Sequence, residues 1–210
     1  MTTGPTTVPT ISTPSSSNRP KIVGGITPES PFPIKMSGTV IKGFGRGSKD
    51  LGIPTANLPE DAIAEQEAKM VTGIYYGWAQ VVVRNKPEHS AAEAATGSET
   101  SVAESASSST SSLATHCPAT VHPMVMSLGW NPFYKNEKKS AEVHIMHNFH
   151  RDFYGDDLRV IVLGYIRPEF DYTTLEALIE DINIDIDVAH RSLERPDYAA
   201  YKEDALFLQL

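Results

Sequence analysis

The sequence predicts a mainly β fold, a small antiparallel barrel or sandwich that carries a helix near its C-terminal end. Three observations support this fold class. Short segments rich in β-branched and aromatic residues recur along the chain. Irregular turns separate them, as is typical of antiparallel connections. The C-terminal part then changes to the three- and four-residue spacing of apolar positions that indicates a helix.

Two segments have compositions that cannot form a packed core. Residues 1–33 are rich in Ser, Thr and Pro, so we expect a disordered arm. The second segment, 88–118, is a low-complexity run of mostly Ala, Ser, Thr and Glu between two strand-like segments. Because the cost of closing a loop grows slowly with its length, we expect a long disordered hairpin insert there. The remaining chain, 34–210, is then one domain that contains this insert.

The predicted strands follow one another along that domain. The third is the most strongly marked, because residues 73–83 are dense in β-branched and aromatic side chains. The second carries a Pro-Thr-Ala-Asn tetrad, and a loop or a single helical turn is expected after it, at 59–70. The six predicted strands are 35–42, 53–58, 71–84, 122–130, 141–147 and 158–167.

The C-terminal region is predicted to be helical. Thr173 and Glu176 have the spacing of a capping box, in which two side chains satisfy backbone N–H groups at the start of a helix. Apolar residues then recur at helical spacing as far as Leu193, and the acidic residues fall mostly between them, as on a solvated face. Pro196 is expected to end this helix, and 198–208 to add a shorter one. We therefore expect a helix packed over the sheet.

Charge and cysteine content exclude several classes of protein. The net charge of −8 argues against a nucleic-acid-binding surface. The single cysteine, Cys117, allows no intramolecular disulfide, which predicts a reducing compartment.

No apolar run reaches the roughly twenty residues of a membrane span, and the N-terminus lacks the basic start and apolar core of a secretory signal. We expect a cytoplasmic monomer, with a mitochondrial or membrane-associated pool left open as an alternative.

One glycine-rich stretch is the strongest candidate for a binding site. Gly43, Gly45 and Gly47 allow the backbone to approach a ligand closely. Arg46 and Lys49 add positive charge, and together these residues predict an anion cradle for the phosphate tail of a nucleotide. The spacing fits neither the G-x-x-x-x-G-K-[ST] phosphate loop nor the G-x-G-x-x-G dinucleotide motif. A plain glycine-rich hairpin turn is the alternative interpretation.

Side chains with oxygen ligands follow this stretch. Thr55 and Asn57 are two residues apart, so on a strand they point to one face, where a hydroxyl and an amide oxygen suit a hard cation such as Mg²⁺. Phosphoryl transfer also needs a group that positions or deprotonates the acceptor. Glu142, amid apolar neighbours on the fifth predicted strand, is the candidate general base. A solvent-facing carboxylate on a strand edge is the alternative for Glu142.

Histidines and aromatic residues offer weaker signals. His144 and His147 would point to opposite faces of a strand, and imidazoles are not the ligands that Mg²⁺ prefers, so we interpret these histidines and His150 as structural or supporting residues. Aromatic side chains on loops, including Tyr154, could enclose a planar ring. Arg167 could meet a phosphate or a ring face. Packing in the core is the alternative for each aromatic residue.

Several short motifs follow one another along the chain between residues 36 and about 195. Gly-Phe-Gly-Arg-Gly-Ser-Lys and Leu-Gly-Ile-Pro-Thr-Ala-Asn come first, at 43–49 and 51–57. The others lie at 73–79, 127–136, 142–147, 152–155 and 164–169. In this order the motifs resemble the riboflavin kinase, or flavokinase, family. So many ordered matches make the resemblance specific, whereas the Pro-Thr-Ala-Asn tetrad alone would not.

The resemblance implies a six-stranded antiparallel Greek-key β-barrel with a C-terminal helix packed on it. It implies an enzyme that transfers the γ-phosphoryl group of ATP to the ribityl 5′-hydroxyl of riboflavin, giving FMN and ADP. The implied cofactor is Mg²⁺, with Zn²⁺ or another divalent ion as the alternative. Nothing functional carries over to the N-terminal arm or to the low-complexity insert.

By position, the resemblance also implies roles for single residues. Thr55 and Asn57 correspond to the family's metal and phosphate residues, and Glu142 corresponds to its catalytic base. Arg167 falls on the flavin side, where we also expect Tyr154. The residues expected in the loop that folds over the nucleotide are Gly43, Gly45, Arg46, Gly47 and Lys49.

Two other functions remain open at this point. The first is a flavin- or nucleotide-binding barrel without catalysis, against which the complete set of Thr55, Asn57 and Glu142 argues. The second is the kinase half of a bifunctional FAD synthetase. Because the sequence offers no room for a nucleotidyltransferase domain, we expect no formation of FAD.

Overall fold

The structure is a computed structural model that describes residues 19–43, 52–84, 119–130 and 139–209. Its centre is a six-stranded sheet in which every neighbouring pair of strands is antiparallel. The mainly β class predicted from the sequence is therefore confirmed. The strands are β1 (Ile34–Thr39), β2 (Ala56–Leu58), β3 (Gly73–Val82), β4 (Val121–Trp130), β5 (Lys139–Ile145) and β6 (Asp157–Arg167).

The strand order β1-β6-β3-β4-β5-β2 contains a Greek key. Strands β3, β4 and β5 are successive neighbours, and β6 returns to the far side of β3, which is the Greek-key arrangement. The two edges of the sheet meet just after β1, where the Ile41 N–H donates to the Asn57 carbonyl at 3.0 Å. The sheet thus curls into a barrel, as the resemblance implies.

Alternation of side chains along β3 divides the core into two layers. Tyr75 and Ala79 belong to the cluster that fills the barrel. Tyr76 and Trp78 belong to a second cluster on the outer face, which they share with Leu193 and its neighbours from the C-terminal region. Because β3 is buried on both faces, its sequence is almost continuously apolar, which explains why it gave the strongest strand signal.

Helix α2 (Leu175–Leu193) packs on this outer face, as the apolar periodicity predicts. Its first turn differs from the prediction. The N-cap residue is Thr174, whose hydroxyl accepts a hydrogen bond from the Ala177 N–H at 3.2 Å. The capping box predicted for Thr173 and Glu176 is therefore wrong. With Thr174 as the N-cap, Glu176 is one residue too early to reach back to the N-cap backbone.

Three of the five acidic residues of α2 are exposed, in agreement with the predicted solvated face, but Asp181 and Asp185 are buried. Asp181 is 6% exposed and Asp185 is 2% exposed. Both carboxylates form ion pairs with arginines from distant parts of the chain, which compensates their burial. Helical periodicity could not reveal this arrangement, because the partners lie outside the helix.

Beyond α2 the chain continues as α3 (Pro196–Ala199), a 3₁₀ turn (Ala200–Glu203) and α4 (Ala205–Leu208). Pro196 begins α3, where its missing N–H is not needed, whereas α2 has already ended at Leu193. The indole N–H of Trp78 donates to the Tyr198 carbonyl at 2.9 Å, and the Gln80 amide donates to the Phe207 carbonyl at 3.0 Å. Strand β3 thereby anchors these short helices.

The described part of the N-terminal arm, 19–33, packs against the domain, whereas its composition predicted disorder. The Val23 N–H donates to the hydroxyl of Ser192, 169 residues further along, at 3.0 Å. The Arg195 guanidinium donates to the carbonyls of Val23 and Gly24 at 2.6 and 3.0 Å. Composition gave no sign of this packing, because it depends on partners at the other end of the sequence. The first part of the arm lies outside the described residues.

Several element boundaries differ from the prediction. Strand β2 begins at Ala56 and not at residue 53, since Pro54 has no N–H to donate to a neighbouring strand. Strand β1 ends at Thr39, and β5 ends at Ile145. Between β2 and β3 the chain forms α1 (Glu60–Ala64) and a 3₁₀ turn (Glu67–Lys69). In the part of the chain that the structure describes, no helix is long and apolar enough to span a bilayer.

The predicted insert, 88–118, lies outside the described residues, but the strands that it connects are already paired. Strands β3 and β4 are antiparallel neighbours, with Gln80 opposite Val121 near the insert. We therefore expect a chain without 90–112 to fold and to keep its activity nearly unchanged. Soluble yield and the thermal unfolding midpoint would be compared with those of the full chain and of a chain whose insert is scrambled. Loss of soluble protein on excision would show that the insert is structural.

Candidate active site

A cavity of about 790 Å³ lies among residues of the barrel and helix α2. Its volume is typical of small-molecule binding sites. Polar and apolar side chains both line the cavity, and we call these two sets its polar part and its apolar part. The polar part includes Thr55, Asn57, Glu142 and His144, and the apolar part includes Ile74, Val125, Phe149, Phe153, Leu178 and Ile182.

Three of the predicted site residues come together in the polar part. Asn57 of β2 lies directly opposite Glu142 of β5 in the pairing of these strands. Thr55, one residue before β2, directs its hydroxyl to the Glu142 Oε2 atom at 3.4 Å. A carboxylate, a hydroxyl and an amide thus share one wall of the cavity. The roles of these side chains as base and metal ligands stay predictions, and their proximity is what the structure adds.

Strand alternation explains why Glu142 faces the cavity. Its neighbours Ala141 and Val143 are fully buried in the barrel core, so Glu142 and His144 occupy the opposite face of β5. The His144 Nδ1 atom forms a hydrogen bond with the Pro54 carbonyl at 2.9 Å. Burial lowers the pKa of His144, against a smaller opposing effect of this hydrogen bond. His144 therefore ties β5 to the segment that carries Thr55.

Strand β5 ends at Ile145, so His147 lies just beyond it, and the opposite facing of His144 and His147 stays a prediction; both histidines line the cavity. His147 stacks on His122 of β4, with ring centroids 4.0 Å apart. Burial and the neighbouring His147 lower the pKa of His122. Across the described ranges, no group of three or more His, Cys, Asp or Glu side chains is arranged to hold a metal ion.

Only the first residue of the glycine-rich stretch is described, and it adjoins the predicted metal ligand. Gly43 lines the cavity, and a Cβ atom at this position would lie 2.3 Å from the Asn57 Nδ2 atom. Any larger residue would therefore displace Asn57 or the backbone. The other predicted phosphate-binding residues of this stretch lie outside the described residues: Gly45, Arg46, Gly47 and Lys49.

The apolar part of the cavity includes residues that the sequence did not single out as functional. Leu178, Ile182 and Asp185 lie on one face of α2 and line the cavity. In the sequence, these leucine and isoleucine positions were indistinguishable from ordinary core positions. Tyr154, predicted on the flavin side, also lines the cavity and is half exposed.

Arg167 lies behind this wall, and its guanidinium is engaged by other residues. Its Nε atom donates to both carboxylate oxygens of Asp185 at 3.0 and 3.1 Å, and Nη2 donates to one of them at 2.7 Å. It also contacts the Phe170 ring, with 4.7 Å between Cζ and the ring centroid. Burial lowers the pKa of Arg167, but the Asp185 carboxylate outweighs burial and raises it. The predicted flavin contact stays a prediction.

Comparison with known proteins relates this site to one family. The family model for riboflavin kinase, Flavokinase, matches residues 30–193. The chain is 52% identical over 179 residues to the riboflavin kinase of Pyricularia oryzae, which covers 84% of this chain and 80% of the relative. It is 49% identical over 173 residues to that of Meyerozyma guilliermondii, with 82% and 91% covered.

A solved structure agrees with the fold. The crystal structure of riboflavin kinase from Trypanosoma brucei matches with a TM-score of 0.56 at 23% identity, covering 84% of this chain and 90% of that chain. At this identity the likeness shows the common fold, while the family model and the sequence relatives identify the family. On this basis the chain belongs to the riboflavin kinase family.

Proposed function

We propose that this protein transfers the γ-phosphoryl group of ATP to the ribityl 5′-hydroxyl of riboflavin and releases FMN and ADP. The observation that carries the proposal is the Glu142 carboxylate, which lies 3.4 Å from the Thr55 hydroxyl in a cavity that is also lined by apolar side chains. Phosphoryl transfer requires a group that orients the acceptor beside the phosphate site. A planar ring requires the apolar surface that the rest of the cavity offers.

In this proposal Glu142 is the general base. One carboxylate oxygen accepts a hydrogen bond from the 5′-hydroxyl and directs the hydroxyl oxygen at the γ-phosphorus atom. The new O–P bond forms as the bond to the ADP oxygen breaks, and the hydroxyl proton passes to Glu142. The neighbouring Thr55 hydroxyl restricts the orientation of the carboxylate, which supports its use as a positioned base.

Thr55 and Asn57 are the residues that would hold the divalent ion. Their hydroxyl and amide oxygens fit Mg²⁺, which takes oxygen ligands and keeps water and substrate phosphates as its remaining ligands. The Asn57 amide lies so close to Gly43 that a Cβ atom at residue 43 would clash with it. Glycine at this position therefore allows Asn57 to keep its place. When bound, the ion would offset the negative charge of the phosphate oxygens.

Incubation of the purified protein with riboflavin, ATP and Mg²⁺ tests the proposed reaction, with the products separated by chromatography. We expect equimolar FMN and ADP and no FAD. A barrel that binds flavin without catalysis would bind riboflavin and leave it unchanged. ADP formed without FMN would indicate hydrolysis of ATP and would contradict the proposal.

Removal of divalent ions is expected to abolish the reaction. Without a cation, the phosphate charge would lie beside the Glu142 carboxylate with no ion to offset it, so turnover should fall below detection in excess EDTA. Adding back Mg²⁺ or Zn²⁺ in separate samples would restore activity with the ion that the site uses. Full turnover in EDTA would remove Thr55 and Asn57 from the role of metal ligands.

Replacing Gly43 with alanine should disturb the phosphate end of the cavity. The added methyl group would lie where the Asn57 amide now is, so we expect kcat/KM for ATP to fall about tenfold. The matched measurement is a double-mutant cycle with Asn57→Ala. If Gly43→Ala acts by moving Asn57, the free-energy effects of the two substitutions on kcat/KM will not be additive, whereas the effects of independent substitutions would be.

A further inference from the structure

The N-terminal segment brings a buried arginine to helix α2. The Arg19 side chain is 6% exposed, and its Nη1 atom donates to Asp181 at 3.0 Å. Its Nη2 atom forms an ion pair with Asp185. The Arg19 guanidinium thus bridges two carboxylates on successive turns of the helix. Because the guanidinium donors have a rigid geometry, this bridge restrains the position of that helix face.

Charge balance explains why Arg19 matters to these aspartates. Asp185 also pairs with Arg167, and Asp181 accepts a hydrogen bond from the Tyr172 hydroxyl at 2.7 Å. Two buried carboxylates are thus matched by two guanidinium groups. Without Arg19, one negative charge would be left buried and uncompensated, which is strongly unfavourable. The helix would have to shift, or a carboxylate would have to take up a proton.

The same helix face forms one wall of the cavity. Leu178, Ile182 and Asp185 all line it, and they are spaced four and three residues apart. Asp185 therefore contacts both the cavity and Arg19. A shift of α2 that relieved the excess negative charge of Asp181 and Asp185 would move Leu178 and Ile182 with it, because a helix moves as a rigid element.

A second anchor holds the N-terminal segment along α2. Val23 donates to Ser192, two turns beyond Asp185, and Arg195 holds the carbonyls of Val23 and Gly24. Segment 19–23 therefore runs beside α2 between Asp181 and Ser192 and is attached to it at both ends. This segment precedes residues 30–193, the part of the chain that the family model matches.

We propose that Arg19 is a positioning residue for riboflavin: through Asp181 and Asp185 it holds the α2 wall of the cavity where the flavin ring binds. This rests on the proposed function. Arg19 itself does not touch the substrate. Its effect should therefore appear in flavin binding and not in the binding of ATP at Thr55 and Asn57, on the polar part of the cavity.

The test compares Arg19→Ala with Arg19→Lys in the full chain. For Arg19→Ala we expect the KM for riboflavin to rise about tenfold, with kcat and the KM for ATP changed less than about twofold. Equilibrium binding of riboflavin, followed by quenching of its fluorescence, should weaken by the same factor. Arg19→Lys keeps the charge but reaches fewer oxygens, so it should recover part of the loss.

Lys35→Ala is the matched control. Lys35 of strand β1 forms an ion pair with Asp204 at 2.6 Å and does not line the cavity. We expect this variant to keep both KM values. An Arg19→Ala enzyme with unchanged riboflavin KM, or with equal rises in both KM values, would overturn the proposal. If Arg19→Ala yields no folded protein, Arg19→Lys becomes the deciding variant. An unchanged riboflavin KM in Arg19→Lys would then overturn the proposal.

Failure of this inference can be told apart from failure of the proposed function. If the unaltered protein forms no FMN from riboflavin and ATP, the proposed function fails. If the unaltered protein forms FMN while Arg19→Ala binds riboflavin normally, only the role of Arg19 fails.

Discussion

Replacing Glu142 with glutamine is expected to lower kcat by about 10²-fold or more, the usual scale for loss of a general base, with little change in the KM for either substrate. Glutamine keeps the size of the side chain and its ability to lie beside Thr55, but it cannot take the proton of the 5′-hydroxyl. Steady-state rates of FMN formation at saturating ATP and riboflavin would measure the loss.

Glu180→Gln is the control for this prediction. Glu180 lies on an exposed position of α2, and its replacement removes the same charge from the molecule without touching the cavity. We expect it to leave kcat unchanged. A Glu142→Gln enzyme with near-normal turnover would show that another group accepts the proton, and Glu142 would then be a structural neighbour of Thr55.

Replacing Arg167 with methionine is expected to lower the free energy of unfolding by about 3 kcal/mol, at the lower end of the range for removing one partner of a buried ion pair. The Arg167 guanidinium makes three contacts with the Asp185 carboxylate, at 2.7 to 3.1 Å. Methionine would fill part of the space but leave Asp185 with Arg19 as its remaining cation. Urea unfolding followed by tryptophan fluorescence would measure the change.

Arg191→Met is the matched control on the same helix. Arg191 pairs with Asp187 at 3.2 Å on the exposed face, and such surface pairs contribute about 0.5 kcal/mol or less. The comparison also decides between two roles for Arg167. Normal stability together with a raised riboflavin KM would favour the flavin contact implied by the resemblance over the structural role that its ion pair indicates.

Local patterns predicted the barrel strands well, because each strand carries its own signal. Strand β3 is dense in β-branched and aromatic residues, since both of its faces are buried. Thr55, Asn57 and Glu142 could be selected because each belongs to a short motif with a chemical meaning. Their mutual proximity follows from the pairing of β2 with β5, which no motif contains.

Features that depend on distant partners could not be predicted in the same way. Asp181 and Asp185 have the spacing of solvated residues, and only the ion pairs with Arg19 and Arg167 explain their burial. Arg19 lies in a region whose composition indicated disorder. Leu178 occupies a position that would look the same in the sequence whether it faced a core or a cavity.

The contact that closes the barrel has a thermodynamic consequence for ligand binding. Within the described ranges, the two sheet edges join through the bridge between Ile41 and Asn57, and Asn57 is also a proposed metal ligand. The seam of the barrel therefore coincides with the proposed phosphate site. A nucleotide and its ion bound there would fasten one edge to the other, so occupancy would add directly to the resistance of the whole barrel to unfolding. In this architecture, the occupancy of the nucleotide site and the stability of the folded protein are therefore linked.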